Sequence, residues 1–246
     1  MAATYQPSQW LIPKNENTDK VGNYSFEFDG SADYINITSD TILDDTPLNP
    51  YSISFWIKYP THTGSKVITE KRATAAWLNA QYTVHSENGY IVWYGGAGSN
   101  TGTVSTVTLH DDTWHHVVVV AESTSVSKIY IDGSLDTTDS TDRISSAVIT
   151  GTFNIAANYT ASIFFTGKIS EYSIFNYALS SENVTSLYGS AGAGVGNPMA
   201  LDVVPVAYYK GDKAALGDQW AVANQGVSKN YALQFSDGYA TTPPWN

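Results

Sequence analysis

Cysteine is absent from the chain, which removes disulfide scaffolds, thiolate zinc clusters and thiol catalysis from consideration. Positive charge is scarce: 12 Lys and Arg stand against 23 Asp and Glu, a net charge of -11 at pH 7 with a pI near 4.6. Such a surface repels a phosphate backbone and no basic stripe offsets it, so nucleic acid is not an expected partner. Long hydrophobic runs are missing as well. No stretch approaches the roughly 18 apolar residues that span a bilayer, and Met1 to Trp10 lacks both a basic n-region and an apolar h-region. The sequence reading therefore expects neither membrane insertion nor a secretion leader.

What is present points to strands. Of 246 residues, 42% are hydrophobic and only 14% charged, too apolar for a disordered chain and enough for a substantial core. Seventeen Tyr, eight Phe, seven Trp and 19 Gly favour pleated strands joined by tight turns. Phe26 and Phe28 alternate with polar residues before Asp29-Gly30, and Ile35 and Ile37 repeat that spacing. In Tyr51 to Lys58, Ile53, Phe55 and Ile57 share one face while Ser52, Ser54, Trp56 and Lys58 share the other, the pattern of a half-buried strand. Asn88-Gly89 between two alternating runs predicts a type I′ hairpin, since both central residues need positive φ. Val117 to Val120 does not alternate and predicts a strand covered on both faces. Lys128 to Ile131 is a further strand, stopped by Asp132-Gly133. One helical period stands out: Val184, Leu187 and Tyr188 follow Ser180 as N-cap and precede Gly189, a short helix on a sheet edge or end. Turns every 8 to 12 residues without βαβ alternation predict an all-β, antiparallel two-sheet sandwich.

The chain also echoes itself. Gln9 to Ile12 and Asn23 to Gly30 recur, with a shorter turn and an inserted Ser236, as Gln219 to Val222 and Asn230 to Gly238. Between them, Ser190 to Pro198 has linker composition. The expected organisation is a sandwich over 1–190, a Gly-rich linker over 191–200 and a small C-terminal β extension over 201–246. The extension either packs back as extra strands or docks on a neighbouring subunit, because an isolated two-stranded unit is marginal in water.

Four ordered blocks carry a family resemblance: Phe28 to Ile35, Tyr51 to Lys58, Trp114 to Val119 followed by Lys128 to Gly133, and Phe165 to Phe175 with the helix beginning near Leu179. Together they resemble the laminin G-like, concanavalin A-like jelly-roll domains over roughly residues 23 to 190. The resemblance implies two curved antiparallel sheets, commonly used to bind glycans or proteins. The superfamily also contains glycoside hydrolases, and fold alone does not choose between them. It further implies a calcium ion at the sandwich rim, for which Asp44, Asp45, Asp111 and Asp112 are the candidate ligands.

Hydrolysis needs a carboxylate pair, about 5–5.5 Å apart in retaining enzymes and wider in inverting ones. No run of alternating acids of the Glu-x-Asp-x-x-Glu kind exists, and the glutamates at 16, 27, 70, 87, 122, 171 and 182 are scattered. Glu27 and Glu171 are the two that a strand could aim into a groove, and the solvent-facing reading is preferred for both; the chain is read as not an enzyme. His110 to His116 is the most metal-like stretch, but His115 and His116 point to opposite faces of a strand and are assigned a structural role. Asp136, Asp139 and Asp142 recur every third residue, unlike an EF-hand loop. Candidate ligand contacts are aromatics in or near turns, namely Trp77, Tyr82, Trp93, Tyr94 and Tyr159, with Gly95 to Gly98 beside them.

The expected function is that of a non-enzymatic virion structural protein of a bacteriophage: a capsid decoration, fibre or tail-associated subunit. It would assemble in the host cytoplasm with other virion subunits, as a homo-oligomer, and its sandwich would bind host-surface glycan. A family that usually works outside cells, in a chain without an export signal, motivates this reading. The alternatives are a secreted or surface carbohydrate-binding adhesin and a glycoside hydrolase.

Overall fold

The computed structural model describes residues 25–37, 41–74, 80–95, 101–145, 147–190 and 195–209, and the backbone of 215–216, 219–220 and 234–235. In chain order come β1 (Phe26–Asp29), β2 (Ile35–Ile37), the short helix α1 (Thr41–Asp45), β3 (Tyr51–Lys58), β4 (Ser65–Arg72) and β5 (Ala80–Glu87). They are followed by β6 (Tyr90–Tyr94), β7 (Thr103–Thr108), β8 (His115–Ser123), β9 (Val126–Ile131), β10 (Ser134–Asp139) and β11 (Thr152–Ile155). Last are β12 (Thr166–Phe175), α2 (Ser181–Tyr188), β13 (Ala207–Tyr209), β14 (Ala215–Leu216), β15 (Gln219–Trp220) and β16 (Gln234–Phe235). Two antiparallel sheets hold nearly all of them. The first runs β1-β12-β3-β8-β9-β10, with β13 also on β12; the second runs β16-β2-β11-β4-β5-β6-β7. This is the all-β, two-sheet jelly-roll sandwich with one short C-terminal helix that the sequence predicts.

The interior is built by alternation. Ile53, Phe55 and Ile57 of β3 and Ile129 and Ile131 of β9 are all buried, together with Val117 and Val119 of β8. Ile35, Ile37, Val84, Ile91, Phe153 and Ile155 meet them from the second sheet. The outer face of β3 departs from expectation. Ser52 and Ser54 are buried and Trp56 is half-buried, because α2 lies over this face instead of on a sheet edge or end. Val118, Val120, Tyr130 and Phe175 form a second small core with Leu179, Val184 and Leu187 of the helix segment. Each fully buried side chain of that size contributes about 1.5–3 kcal/mol. The doubly covered β8 is thus the strand that the unbroken valine run predicts. The helix starts on a capping box between Ser180 and Asn183 and ends at Gly189, where φ is +78°. Asn88 and Gly89 have φ of +51° and +90°, the two positive values that the hairpin turn requires.

At the C-terminus, Ala207–Tyr209 continues the same edge of β12 that β1 begins: β1 pairs with residues 166–169 and β13 with 172–174. Gln234–Phe235 pairs with β2 on the second sheet. Of the described strands of the extension, β13 and β16 pair with the sandwich, while β14 and β15 pair with each other. The other half of the echo, residues 9–24, lies outside the described residues.

Candidate functional site

The outer face of the second sheet is the polar one. Phe153 and Ile155 point inward, so Asn154 between them points outward; Ile35 and Ile37 do the same for Asn36, and Trp93 for Tyr94. Register then aligns Asn36, Asn154 and Glu70 across β2, β11 and β4. Irregular pairing of β4 with β5 near Thr69 breaks strict alternation there. Thr69 bonds Tyr172 of the opposite sheet from inside the sandwich, while Glu70 meets His85 outside.

These side chains form a continuous row. Tyr94 donates to Glu87 at 2.5 Å and packs edge-on against His85, with centroids 5.3 Å apart. His85 Nε2 lies 3.1 Å from Glu70, whose carboxylate is also 3.3 Å from Arg72 Nε and accepts the Tyr159 backbone N–H at 3.2 Å. The Arg72 guanidinium sits over the Tyr159 ring, 4.7 Å from its centroid. Burial and the Glu87 carboxylate both push the Tyr94 phenol up, so it stays protonated as a donor. Asn158 shapes the loop that carries Tyr159: its side-chain oxygen accepts the N–H groups of Ser162 and Ile163, and its carbonyl accepts Asn154 Nδ2. At the other end, the wholly buried Arg143 donates to the carbonyls of Gly95 and Thr101 and to Thr103 Oγ1, clamping the two stems of the connection from β6 to β7.

Of the five aromatics proposed as ligand contacts, Tyr94 and Tyr159 are half-buried at the two ends of this row. Tyr82 and Trp93 are corrections: both are fully buried in the sandwich. Tyr82 stacks on Phe153 at 5.0 Å and donates to the Leu43 carbonyl, while Trp93 packs edge-on against Tyr51, so neither reaches an external ligand. Trp77 lies outside the described residues. Sequence reasoning missed Glu70, Arg72 and His85 as a group. The signal that could have found them was Thr69 to Arg72, four consecutive polar residues following Val67 and Ile68 in one strand.

The four aspartates offered for calcium do not converge. Asp44 is buried and ion-paired with Lys71, and Asp45 is exposed on α1. Asp111 bonds Thr113 and His115 in the loop after β7, and Asp112 pairs with Lys58 at 3.7 Å. Among the described residues no three His, Asp or Glu side chains gather as a metal site. Glu27 is exposed and paired with Lys168, whereas Glu171 is buried at a left-handed residue of β12 (φ +54°), where it accepts Tyr208 of β13. These two acids do not face each other across a cleft.

A family model described as the concanavalin A-like lectin/glucanases superfamily, of the laminin G type, matches residues 29–185. The chain belongs to this superfamily. No curated protein matches it closely enough to report. Among solved structures, a candidate carbohydrate-binding protein from Bacteroides ovatus is similar with a TM-score of 0.59 and 13% identity, covering 88% of this chain and 60% of that one. The receptor-binding domain of botulinum neurotoxin C/D mosaic serotype gives 0.55 and 18%, covering 69% and 43%. A heptameric SAP-like pentraxin from Limulus polyphemus gives 0.51 and 14%, covering 66% and 80%. This superfamily member thus spans less than two thirds of the first two chains, and at these identities the likeness is one of fold.

Proposed function

We propose that the chain is a carbohydrate-binding module that holds glycan on the outer face of its second sheet without cleaving it. The observation that carries this is the row Tyr94–His85–Glu70–Arg72–Tyr159, two aromatic rings bracketing a carboxylate, an imidazole and a guanidinium. The half-buried rings of Tyr94 and Tyr159 pack on the C–H faces of sugars, while Glu70, His85 and Arg72 are buried between them and hold the two rings in place. Glu70 is engaged by Arg72, His85 and the Tyr159 N–H at once, and Glu87 by Tyr94, so both carboxylates of the row are held by neighbouring protein groups. A glycan array probed with the intact protein tests the proposal. Selective retention of one glycan class, with no shortened product released, is expected; release of shortened sugars would replace binding by hydrolysis.

The finer reading places this module on a bacteriophage virion, where neighbouring copies would present it to a host-surface glycan. Its support is the echo between the two ends of the chain, whose later copy contributes β16 to the second sheet, an edge strand that could be exchanged between copies. Co-sedimentation with phage particles supports this setting, and an isolated monomer at high concentration with no particle association removes it.

A further inference from the structure

A second depression shares no lining residue with the row just described and lies at the end of the first sheet where β3 begins and β12 leaves. It is an open groove of about 570 Å³ lined by Ile42, Asp45, Asn49, Pro50, Asn176 and Tyr177. Tyr177 is its fixed wall. The ring hydroxyl donates to the Val203 carbonyl at 2.7 Å, its carbonyl accepts Ser52 Oγ at 3.0 Å, and its ring rests edge-on against Phe175 at 5.6 Å. Ser52 in turn accepts the N–H of Leu179 at 2.9 Å, tying this wall to the start of α2. A ring held at its tip, its backbone and its edge loses little entropy when a ligand arrives. Ile42 and Pro50 add apolar surface. The carboxamides of Asn49 and Asn176 are exposed and bond no group among the described residues, which leaves their donors and acceptors for a ligand. Asp45 is the single charged group of the lining.

We propose that this groove is a second binding site, for a neutral saccharide that packs a C–H face on Tyr177 and shares its hydroxyls among Asn49, Asn176 and Asp45. The proposal rests on the reading of the chain as carbohydrate-binding and adds to it a second contact point that shares no residue with the row. The Asp45 carboxylate disfavours acidic sugars, because a sialylated or sulfated ligand would bring like charge to it. Two separate sites on one module allow a polymer or a dense surface to be gripped twice.

The test is an NMR titration of the intact protein with lactose, maltose and cellobiose, and with sialyllactose as the anionic counterpart, following the side-chain amides of Asn49 and Asn176. Saturable shifts of both amides with a neutral disaccharide are expected, and sialyllactose is expected to bind the groove about ten-fold more weakly than lactose. An Asn49→Ala/Asn176→Ala variant, which removes no side-chain hydrogen bond among the described residues, should fold with an unchanged melting temperature and lose the neutral sugar at least about ten-fold. Silent groove amides with shifts at Tyr94 and Tyr159 overturn the groove and leave the proposed function standing. Silence at both sites with every sugar overturns both, and tighter binding of sialyllactose overturns the neutral-saccharide assignment.

Discussion

His115 and His116 are neighbours in sequence and opposites in chemistry. His115 is held between Asp132 at 2.8 Å and Asp111 at 3.2 Å, and the Asp132 bond raises its pKa above the usual 6.5. Its charged form therefore adds stability that is complete below pH 6.5 and is lost as pH rises through the raised folded value. His116 is sealed under Trp56 and Tyr188 with Nε2 against Ser54, and burial pushes its pKa down to about 3. The sign is reversed for it: the unfolded chain takes up this proton below pH 6.5 while the folded chain refuses it until about 3, so stability falls with acid over that window. The slope is about 1.4 kcal/mol per pH unit, measurable as urea unfolding free energy at a series of pH values. His116→Gln should flatten the curve between those limits, and an unchanged slope would assign the acid sensitivity elsewhere. The opposite facing of this pair was legible from the period of two along a strand. The chemistry was not, because Ser54, Trp56, Asp132 and Tyr188 reach these rings from other parts of the chain. Tyr82 and Trp93 failed as surface aromatics for a related reason: turn proximity does not say which way a strand residue faces, and both fall on the inward set.

At the level of elements, the strands were legible wherever one face carries Ile, Val or Phe, as in β3, β8 and β9, since burial of that face decides the register. What stayed hidden is which outward faces are covered. Ser52 and Ser54 read as solvent-facing, yet α2 closes over them because Val184 and Leu187 need Val118 and Val120 as partners. The polar row was hidden too, because Glu70 and Arg72 come from β4, His85 and Tyr94 from the next hairpin and Tyr159 from a loop nearly ninety residues on. One buried ion pair joins α1 to β4: Lys71 has no exposed side chain, bonds Asp44, and has its pKa lowered by burial. Lys71→Met should cost about 3–5 kcal/mol of unfolding free energy by removing the cation paired with the buried Asp44, and adding Asp44→Leu should recover part of it. An unaltered denaturation midpoint for the single variant would show the pair to be energetically idle. Arg143→Lys keeps the charge but loses the planar fork that holds Gly95, Thr101 and Thr103, and is expected to weaken glycan binding at Tyr94 along with stability.

For the whole molecule, the sandwich is completed by its own C-terminal strands. Tyr208 and Tyr209 are buried, Tyr209 lies 6.3 Å from the Tyr172 ring, and Tyr208 bonds Glu171. A chain ending at residue 200 should expose that edge of β12 and aggregate, whereas Tyr208→Phe should fold with a cost of about 1–3 kcal/mol for the lost hydrogen bond to the buried Glu171. The boundary near residue 200 was drawn from glycine-rich composition, and composition describes a connection without revealing where the strand beyond it pairs. With the fold so closed, the central question is whether the polar outer face holds sugar. Isothermal titration of the array-selected glycan into the wild-type protein and a Tyr94→Ala/Tyr159→Ala variant answers it most directly. The account predicts that affinity falls at least about ten-fold while the melting temperature stays within a few degrees. Equal affinity in a fully folded variant would contradict it and move the binding surface off this sheet.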